Sequence, residues 1–459
     1  MGPRCSRPAL IFLTRRQLDF VKSWVEPGSR KRLVNQPSTD YPFFFTWSAQ
    51  KGHQPLDIRG GQGIYFDTAD GNRWTDMASL VYQANLGHGH PRLIQAIRDQ
   101  AADLCLTLPN AVYEAKQRLA EELLALAPDG FGKVFFTLGG SEATENALKI
   151  ARLVTGRSKF LSRYRSYHGA TMGALSLTGD YRRLPFEPGI PGVSHFYAPY
   201  CERLAGESSP VVQQAEYRND VADRMAYEGK DKVAALFIES VTGANGVLVP
   251  PDGYLQYLRE LCDANGVLMV CDEVLTGFGR TGKWFAYEHF DIVPDIITMG
   301  KALTGGYGTL GAVLVHDRIA SHFDDAVLYA GLTHYAHPLG CAAALEAISV
   351  YRDEELVENA ARLAPVLRAE MERIQDARPD RIRAVRAIGL FGGFVLDADK
   401  TELGALSAEL DRRRVLTHLR TANQMLIVSP PLCITEAELR EGLAMVAEAI
   451  DTSIPKTGP

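Results

Sequence analysis

Between about residues 130 and 320 the chain alternates short apolar runs with helical patterns, and no other feature restricts its folding as strongly. The runs are Val134–Thr137, Lys159–Ser162, Ala234–Ile238, Val267–Cys271, Ile296–Met299 and Gly311–Val315. Strands that alternate with helices wind into a mainly parallel sheet covered on both faces. One crossover can be read residue by residue: Tyr254, Leu255, Leu258, Leu261 and Cys262 form an apolar helix face, and Asn265-Gly266 supplies a stop before the next strand. The expected architecture is therefore α/β, with a large doubly wound domain.

At 459 residues the chain exceeds one ordinary core, so a companion domain is expected. Long helical patterns around residues 354–374 and 435–450, flanking shorter strands near 385–397 and 425–428, mark it as a smaller α+β domain. Residues 200–230 are polar and poorly periodic, a surface insertion with one helix. The formal net charge of -6 gives no electrostatic reason for a nucleic-acid or anionic-membrane partner. No apolar stretch approaches the roughly 18 residues that span a bilayer. Seven cysteines are sparse and odd in number, with Cys262 and Cys271 in apolar elements, which fits a reduced, cytoplasmic setting.

Two of the runs end on ionisable residues. Leu268-Met-Val-Cys-Asp272 ends in a carboxylate and Ile296-Ile-Thr-Met-Gly-Lys301 in an amine. Taken alone, a strand-end lysine is most often solvated and a strand-end aspartate a cap for nearby amides. In a parallel sheet, however, both emerge at the carboxyl edge where ligands bind. That pair suits pyridoxal phosphate, whose aldehyde needs a lysine and whose ring nitrogen needs an acid.

Further groups fall on the same expected edge. Val134–Thr137 runs into Leu138-Gly139-Gly140-Ser141-Glu142 and a helix marked by Ala143, Ala147, Ile150 and Val154. Such a turn offers free N–H groups to a phosphate; the plainer reading is a serine N-cap. Tyr167-His168-Gly169 follows another strand, where an aromatic can lie over a planar ring or merely close a turn. Glu239 ends Ala234–Ile238, either in a hydrogen-bond network at the site or exposed. His88-Gly-His90 and the pair His334 and His337 lack further ligands at metal-binding spacing, so no metal is expected. Gly60-Gly-Gln-Gly63 lacks the strand–turn–helix setting of a dinucleotide fingerprint.

These residues together resemble the class III, fold type I, pyridoxal-phosphate aminotransferases, over nearly the whole chain from about Phe43. The motifs that carry the resemblance are Asn85-Leu-Gly-His-Gly-His-Pro91, Gly139-Gly-Ser-Glu-Ala-Thr-Glu-Asn146, Tyr167-His-Gly169, Cys271-Asp-Glu-Val-Leu-Thr-Gly-Phe-Gly-Arg-Thr-Gly282, Gly300-Lys301 and Thr333-His-Tyr-Ala-His-Pro338. The resemblance implies that Lys301 forms the Schiff base with the cofactor and that Asp272 contacts the pyridine nitrogen. Val274 and Tyr167 would take the two ring faces, Gly140 and Ser141 the phosphate, and Glu239 the ring's polar edge. Thr333 would reach the phosphate of a neighbouring subunit, which makes a homodimer with shared sites. The implied division is a basic arm over 1–40, mobile or an overlong translation start; 41–75 as the N-terminal part of the small domain; 76–335 as the large cofactor domain; and 336–459 as the C-terminal small domain.

The implied reaction is ping-pong transamination through pyridoxamine phosphate. Relatives acting on ornithine or acetylornithine carry an arginine three residues before the final Pro-Pro; here Ile427 stands there, in Leu426-Ile-Val-Ser-Pro-Pro431. Relatives resembling the amine:pyruvate, β-alanine:pyruvate and taurine:pyruvate enzymes carry one ten residues before it, the place of Arg420. The expected substrates are therefore an ω-amine or ω-amino acid donor and a keto acid such as pyruvate, with Phe44, Phe45, Trp47 and Tyr82 as pocket walls. An exposed helix-terminal Arg420 is the plainer alternative. An aminomutase or decarboxylase on the same fold, or a non-catalytic relative, are the rival functions.

Overall fold

The apolar runs pair into one seven-stranded sheet, and their alternate residues settle into two different cores. In the computed structural model, which describes residues 41–199 and 210–456, the strands are β1 (Ile58–Gln62), β2 (Tyr65–Thr68), β3 (Arg73–Asp76), β4 (Phe131–Thr137), β5 (Lys159–Arg163), β6 (Val193–Phe196), β7 (Val233–Ile238), β8 (Leu268–Asp272), β9 (Ile296–Met299), β10 (Gly311–His316), β11 (Ile382–Ile388), β12 (Phe391–Leu396), β13 (Val415–Leu416), β14 (His418–Arg420) and β15 (Met425–Val428). The large sheet runs β4-β10-β9-β8-β7-β5-β6. Leu236, Ile238, Met269, Cys271 and Ile297 join one apolar cluster, whereas Ala235, Phe237, Leu268, Val270 and Ile296 join the other. A strand buried on both faces reads as a continuous apolar run, and each fully buried aliphatic side chain contributes about 1.5–3 kcal/mol.

The helices that cover the two faces are α1 (Gly140–Thr155), which packs Ala143, Ala147 and Ile150 into one cluster, and α2 (Tyr254–Asn265), which packs Tyr254, Leu255, Leu258 and Cys262 into the other. Gly266 ends α2 in the left-handed region at φ 58°, with its N–H bonded back to the last turn. β5, β6, β7, β8 and β9 pair in parallel, and β10 alone runs against its neighbours β4 and β9. A parallel return needs a long crossover; residues 300–310 supply only a 3-10 turn, Lys301–Thr304, so β10 comes back antiparallel. The carboxyl ends of β4, β5, β7, β8 and β9 consequently share one edge.

C-terminal to this sheet lie α3 (Pro338–Asp353), α4 (Leu356–Ala377), α5 (Lys400–Arg412) and α6 (Glu436–Ser453), with the antiparallel sheet β11-β12-β15-β14. β13 pairs in parallel with β3, so the strands before residue 80 share a sheet with residues 415–416. The polar segment near 200–230 holds a helix at Pro210–Tyr227; the expected basic arm, 1–40, lies outside the described residues. Residues 41–56 belong to a separate contact unit. In its described part Phe45 packs on His53 at 4.3 Å and edge-on to Tyr41 at 5.2 Å, while Gln50 brackets the Phe45 backbone at 2.8 and 2.9 Å. Phe44 and Trp47 in that unit are exposed. Among the described residues no helix is long and apolar enough to cross a membrane.

Candidate functional site

Each strand end at the shared edge delivers one polar group. Asp272 closes β8, buried; its Oδ2 lies 2.7 Å from His168 Nδ1, and its Oδ1 accepts the Val274 N–H at 3.0 Å. Glu239, just past β7, accepts N–H bonds from Tyr167 and Gly243, both at 2.8 Å. Burial pushes the Glu239 carboxyl above its usual range, with His168 opposing the rise. Past β9, Lys301 holds a positive φ of 42°, a conformation that costs a non-glycine residue about 1–3 kcal/mol and recurs at functional sites. Burial holds the Lys301 ammonium below its ordinary value; the Asp272 and Glu239 carboxylates oppose this and the Arg182 and Arg420 guanidiniums reinforce it.

Past β4 the chain makes a cradle. No side chain caps α1, so its first-turn N–H groups point off the helix end beside Ser141. A Cβ on Gly140 would stand 2.5 Å from Val274 Cγ1, and one on Gly300 2.9 Å from the Gly140 nitrogen. Gly169, at φ 140°, lets the Tyr167-His168 turn close on the same place: its Cβ would meet Ser141 Cα at 2.7 Å, and Ser141 Oγ accepts the Ala170 N–H at 3.0 Å. Thus Val274, Gly140, Ser141, Tyr167, Glu239, Asp272 and Lys301, expected from sequence to share an edge, are brought together. An amine, an acid, a valine shelf and a helix amino terminus that tolerates no added side chain are what pyridoxal phosphate requires, and these residues fit it.

The wall opposite comes from the C-terminal sheet. Tyr82 is buried, its ring 4.1 Å from His418 and 6.0 Å from Phe391, in a cluster with Val247, Leu275, Phe391 and Ile427. His418 pairs across the strands with Ile427, and Arg420 with Met425, so Arg420 leaves the sheet on the His418 face. Arg420 Nε and the Tyr82 hydroxyl are buried without a hydrogen-bond partner among the described residues. Burial raises the Tyr82 phenol, and Arg420 opposes it. Thr333 is exposed on the segment before α3. Phe45 and Trp47 belong to the separate unit that holds residues 41–56.

Several residues at the site escaped the sequence reading. Arg182 lies over the Tyr167 ring, 3.9 Å from its centroid. Arg280, fully buried, donates to Ser79 Oγ at 2.9 Å, Asn85 Oδ1 at 2.6 Å and the Leu390 and Pro430 carbonyls at 2.9 and 2.7 Å. It pins the segment that carries Ser79, Leu80 and Tyr82, all at positive φ. Glu273 beside Asp272 accepts bonds from Ser240 Oγ and the Ala286 and Tyr287 N–H groups, and burial raises its carboxyl to about 7. His88 pairs with Asp76 at 2.9 Å, and His337 caps α3 through the Leu339 N–H at 3.3 Å, so these histidines have structural partners.

Comparison with known proteins agrees with this geometry. The family model for aminotransferase class-III matches residues 46–450. An acetylornithine aminotransferase of Methanopyrus kandleri is 35% identical over 401 residues, 87% of this chain and 95% of that protein. An omega-aminotransferase of Caulobacter vibrioides is 32% identical over 85% of this chain and 92% of its own. Among solved structures, a taurine:2-oxoglutarate aminotransferase from Bifidobacterium kashiwanohense, in complex with PLP and glutamate, superposes with a TM-score of 0.84 at 37% identity, covering 89% of this chain and 94% of that one.

Proposed function

The chain belongs to the class III aminotransferases, pyridoxal-phosphate enzymes of fold type I, and from that membership we propose that it transfers the amino group of an ω-amine or ω-amino acid to a keto acid such as pyruvate. The observation that carries the substrate reading is Arg420, whose Nε is buried without a partner on the face that meets Tyr82, while Ile427 is apolar and closed in. One unneutralised guanidinium suits one substrate carboxylate, bound by both prongs of the fork. A mobile Arg420 turned outward admits an uncharged amine against Tyr82, Leu275 and Phe391. Ile427 offers no charge at the place where ornithine-type relatives carry arginine.

When bound, pyridoxal phosphate supplies an aldehyde that condenses with amines and a ring that withdraws electrons from the substrate's Cα. Gly140 and Ser141 hold its phosphate, Val274 and Tyr167 its ring faces, Glu239 its polar edge, and Asp272 its ring nitrogen. Lys301 Nζ, made easier to deprotonate by burial, would be the base that takes and gives back the substrate's Cα proton. Because the donor gives up its amino group and leaves before the keto acid enters the same site, the kinetics are ping-pong. Thr333, exposed in one chain, reaches the phosphate of a partner subunit in a homodimer with shared sites. The five described cysteines are free, which supports a reducing cytoplasmic setting.

The test is a half-reaction screen that follows the visible band of the loaded enzyme against taurine, β-alanine, putrescine, 4-aminobutyrate and an arylalkylamine. One of these is expected to discharge the band without carbon dioxide release, and pyruvate to restore it. A clear win for ornithine or acetylornithine overturns the reading of Arg420 and Ile427. Full turnover by Lys301→Ala would sink the catalytic assignment.

A further inference from the structure

Tyr167 is backed by a second residue. The Arg182 guanidinium carbon lies 3.9 Å from the Tyr167 ring centroid, close for a stacked cation. That guanidinium is itself fixed. Its Nε donates to the Asp180 oxygens at 3.1 and 2.9 Å, and its Nη2 donates to Asp180 Oδ2. Asp180 also accepts the Arg182 N–H at 2.9 Å and the Asn245 amide at 3.0 Å, and Asn245 Oδ1 takes a further bond from Asn423 at 3.4 Å. The side chains of the ion pair are only 10% and 6% exposed, so solvent does little to loosen it.

Arg182 stands among the charges that face Lys301, Tyr82 and Tyr167. An unpaired arginine there would be a natural second seat for a substrate anion. Asp180 neutralises this one and occupies an edge of its fork, whereas the flat face stays on the tyrosine. The charge balance favours a fixed plane over an anion receptor.

We propose that Arg182 is a positioning residue: locked by Asp180 and braced through Asn245, its guanidinium backs the Tyr167 ring and sets that ring's attitude toward the cofactor. The proposal rests on the reading above that Tyr167 packs on the cofactor ring. It gives a role to a buried ion pair at the start of the 3-10 turn Tyr181–Phe186. It also extends the support of the ring to Asn423, three residues after Arg420 in the chain.

The test uses the full-length enzyme and four variants: Arg182→Met, Arg182→Lys, Tyr167→Leu and the double Arg182→Met/Tyr167→Leu. Each is titrated with pyridoxal phosphate for its dissociation constant, scanned for the visible circular dichroism of the bound cofactor, and assayed for the pyruvate KM. Arg182→Met is expected to weaken cofactor binding about tenfold, the value of a desolvated cation–aromatic stack, and to change the dichroism. Arg182→Lys should restore little, since it lacks the plane, and the double variant should be no worse than Tyr167→Leu. Additive losses, or a raised pyruvate KM with the cofactor constant unmoved, overturn the proposal. If Tyr167→Leu itself leaves cofactor affinity and dichroism unchanged, the stacking role of Tyr167 falls and the proposal with it. Should Arg182→Met fail to fold, Asp180→Asn tests the same lock, and unchanged dichroism in that variant counts against it.

Discussion

His168 Nδ1 lies 2.7 Å from Asp272 Oδ2, with both side chains closed to solvent. Asp272 keeps one other bond, to the Val274 N–H, so His168 decides which way the second oxygen points. A buried bond to a charged group contributes about 1.5–3 kcal/mol. His168→Phe is therefore expected to lower the donor half-reaction rate by about ten- to a hundredfold, with a smaller effect on donor KM. Stopped-flow rates within twofold of the parent would show that the aspartate is held without it.

Gly140 is pressed against Val274. A Cβ added there would approach Val274 Cγ1 to 2.5 Å, so Gly140→Ala must push the valine off its shelf. Overpacking of this kind costs about 1–3 kcal/mol. The variant should lose cofactor more readily on dialysis, and Gly140→Ala/Val274→Ala should recover much of the retention. Equal losses in both variants would place the damage in the helix amino terminus instead.

Arg420 brings into the pocket a guanidinium whose Nε is buried without a partner among the described residues. Arg420→Leu is expected to raise the pyruvate KM about ten- to a hundredfold, the value of a charge-assisted contact, and to leave discharge by an uncharged amine close to the parent rate. Steady-state assays with pyruvate and single half-reactions with an arylalkylamine separate the two. An equal fall in both would mean that Arg420 supports the fold of the β14–β15 hairpin rather than a substrate.

The strand-end groups could be read in the sequence because the rule behind them is local: a short apolar run ending in one ionisable residue puts that residue at the sheet edge. Lys301, Asp272 and Glu239 all follow from it. Arg182, His418 and Arg280 do not, because each reaches the site from a loop or hairpin whose approach depends on pairing far along the chain. His418 faces Tyr82 only through its register with Ile427. β6, Val193-Ser-His-Phe196, lacks an apolar run, and β13 and β14 are too short to carry a period. The start of α5, by contrast, is written locally: Asp399 accepts the Thr401 and Glu402 N–H groups at 2.7 and 2.9 Å and its own N–H donates to the Glu402 carboxylate at 2.9 Å, a capping box.

His418 sets a pH dependence whose sign follows from its burial. Its ring packs on Tyr82, donates from Nε2 to the Ala78 carbonyl, 3.2 Å away, and is pushed down to about 3, first by burial and then by the Arg420 charge, with Lys301 and Arg280 adding to it. The folded state therefore refuses a proton that the unfolded chain takes up near 6.5. The stability from keeping this ring neutral is complete above pH 6.5 and is lost as the pH falls toward 3, at about 1.4 kcal/mol per pH unit. Other groups titrate in that window too, Glu273 in the opposite sense, so the measurement is a difference: urea unfolding of the parent and of His418→Gln from pH 7.5 to 5. The variant is expected to gain on the parent steadily as the pH drops below 6.5. A difference that stays flat over that range would mean that His418 is protonated in the folded enzyme and that its contact with Tyr82 carries a charge.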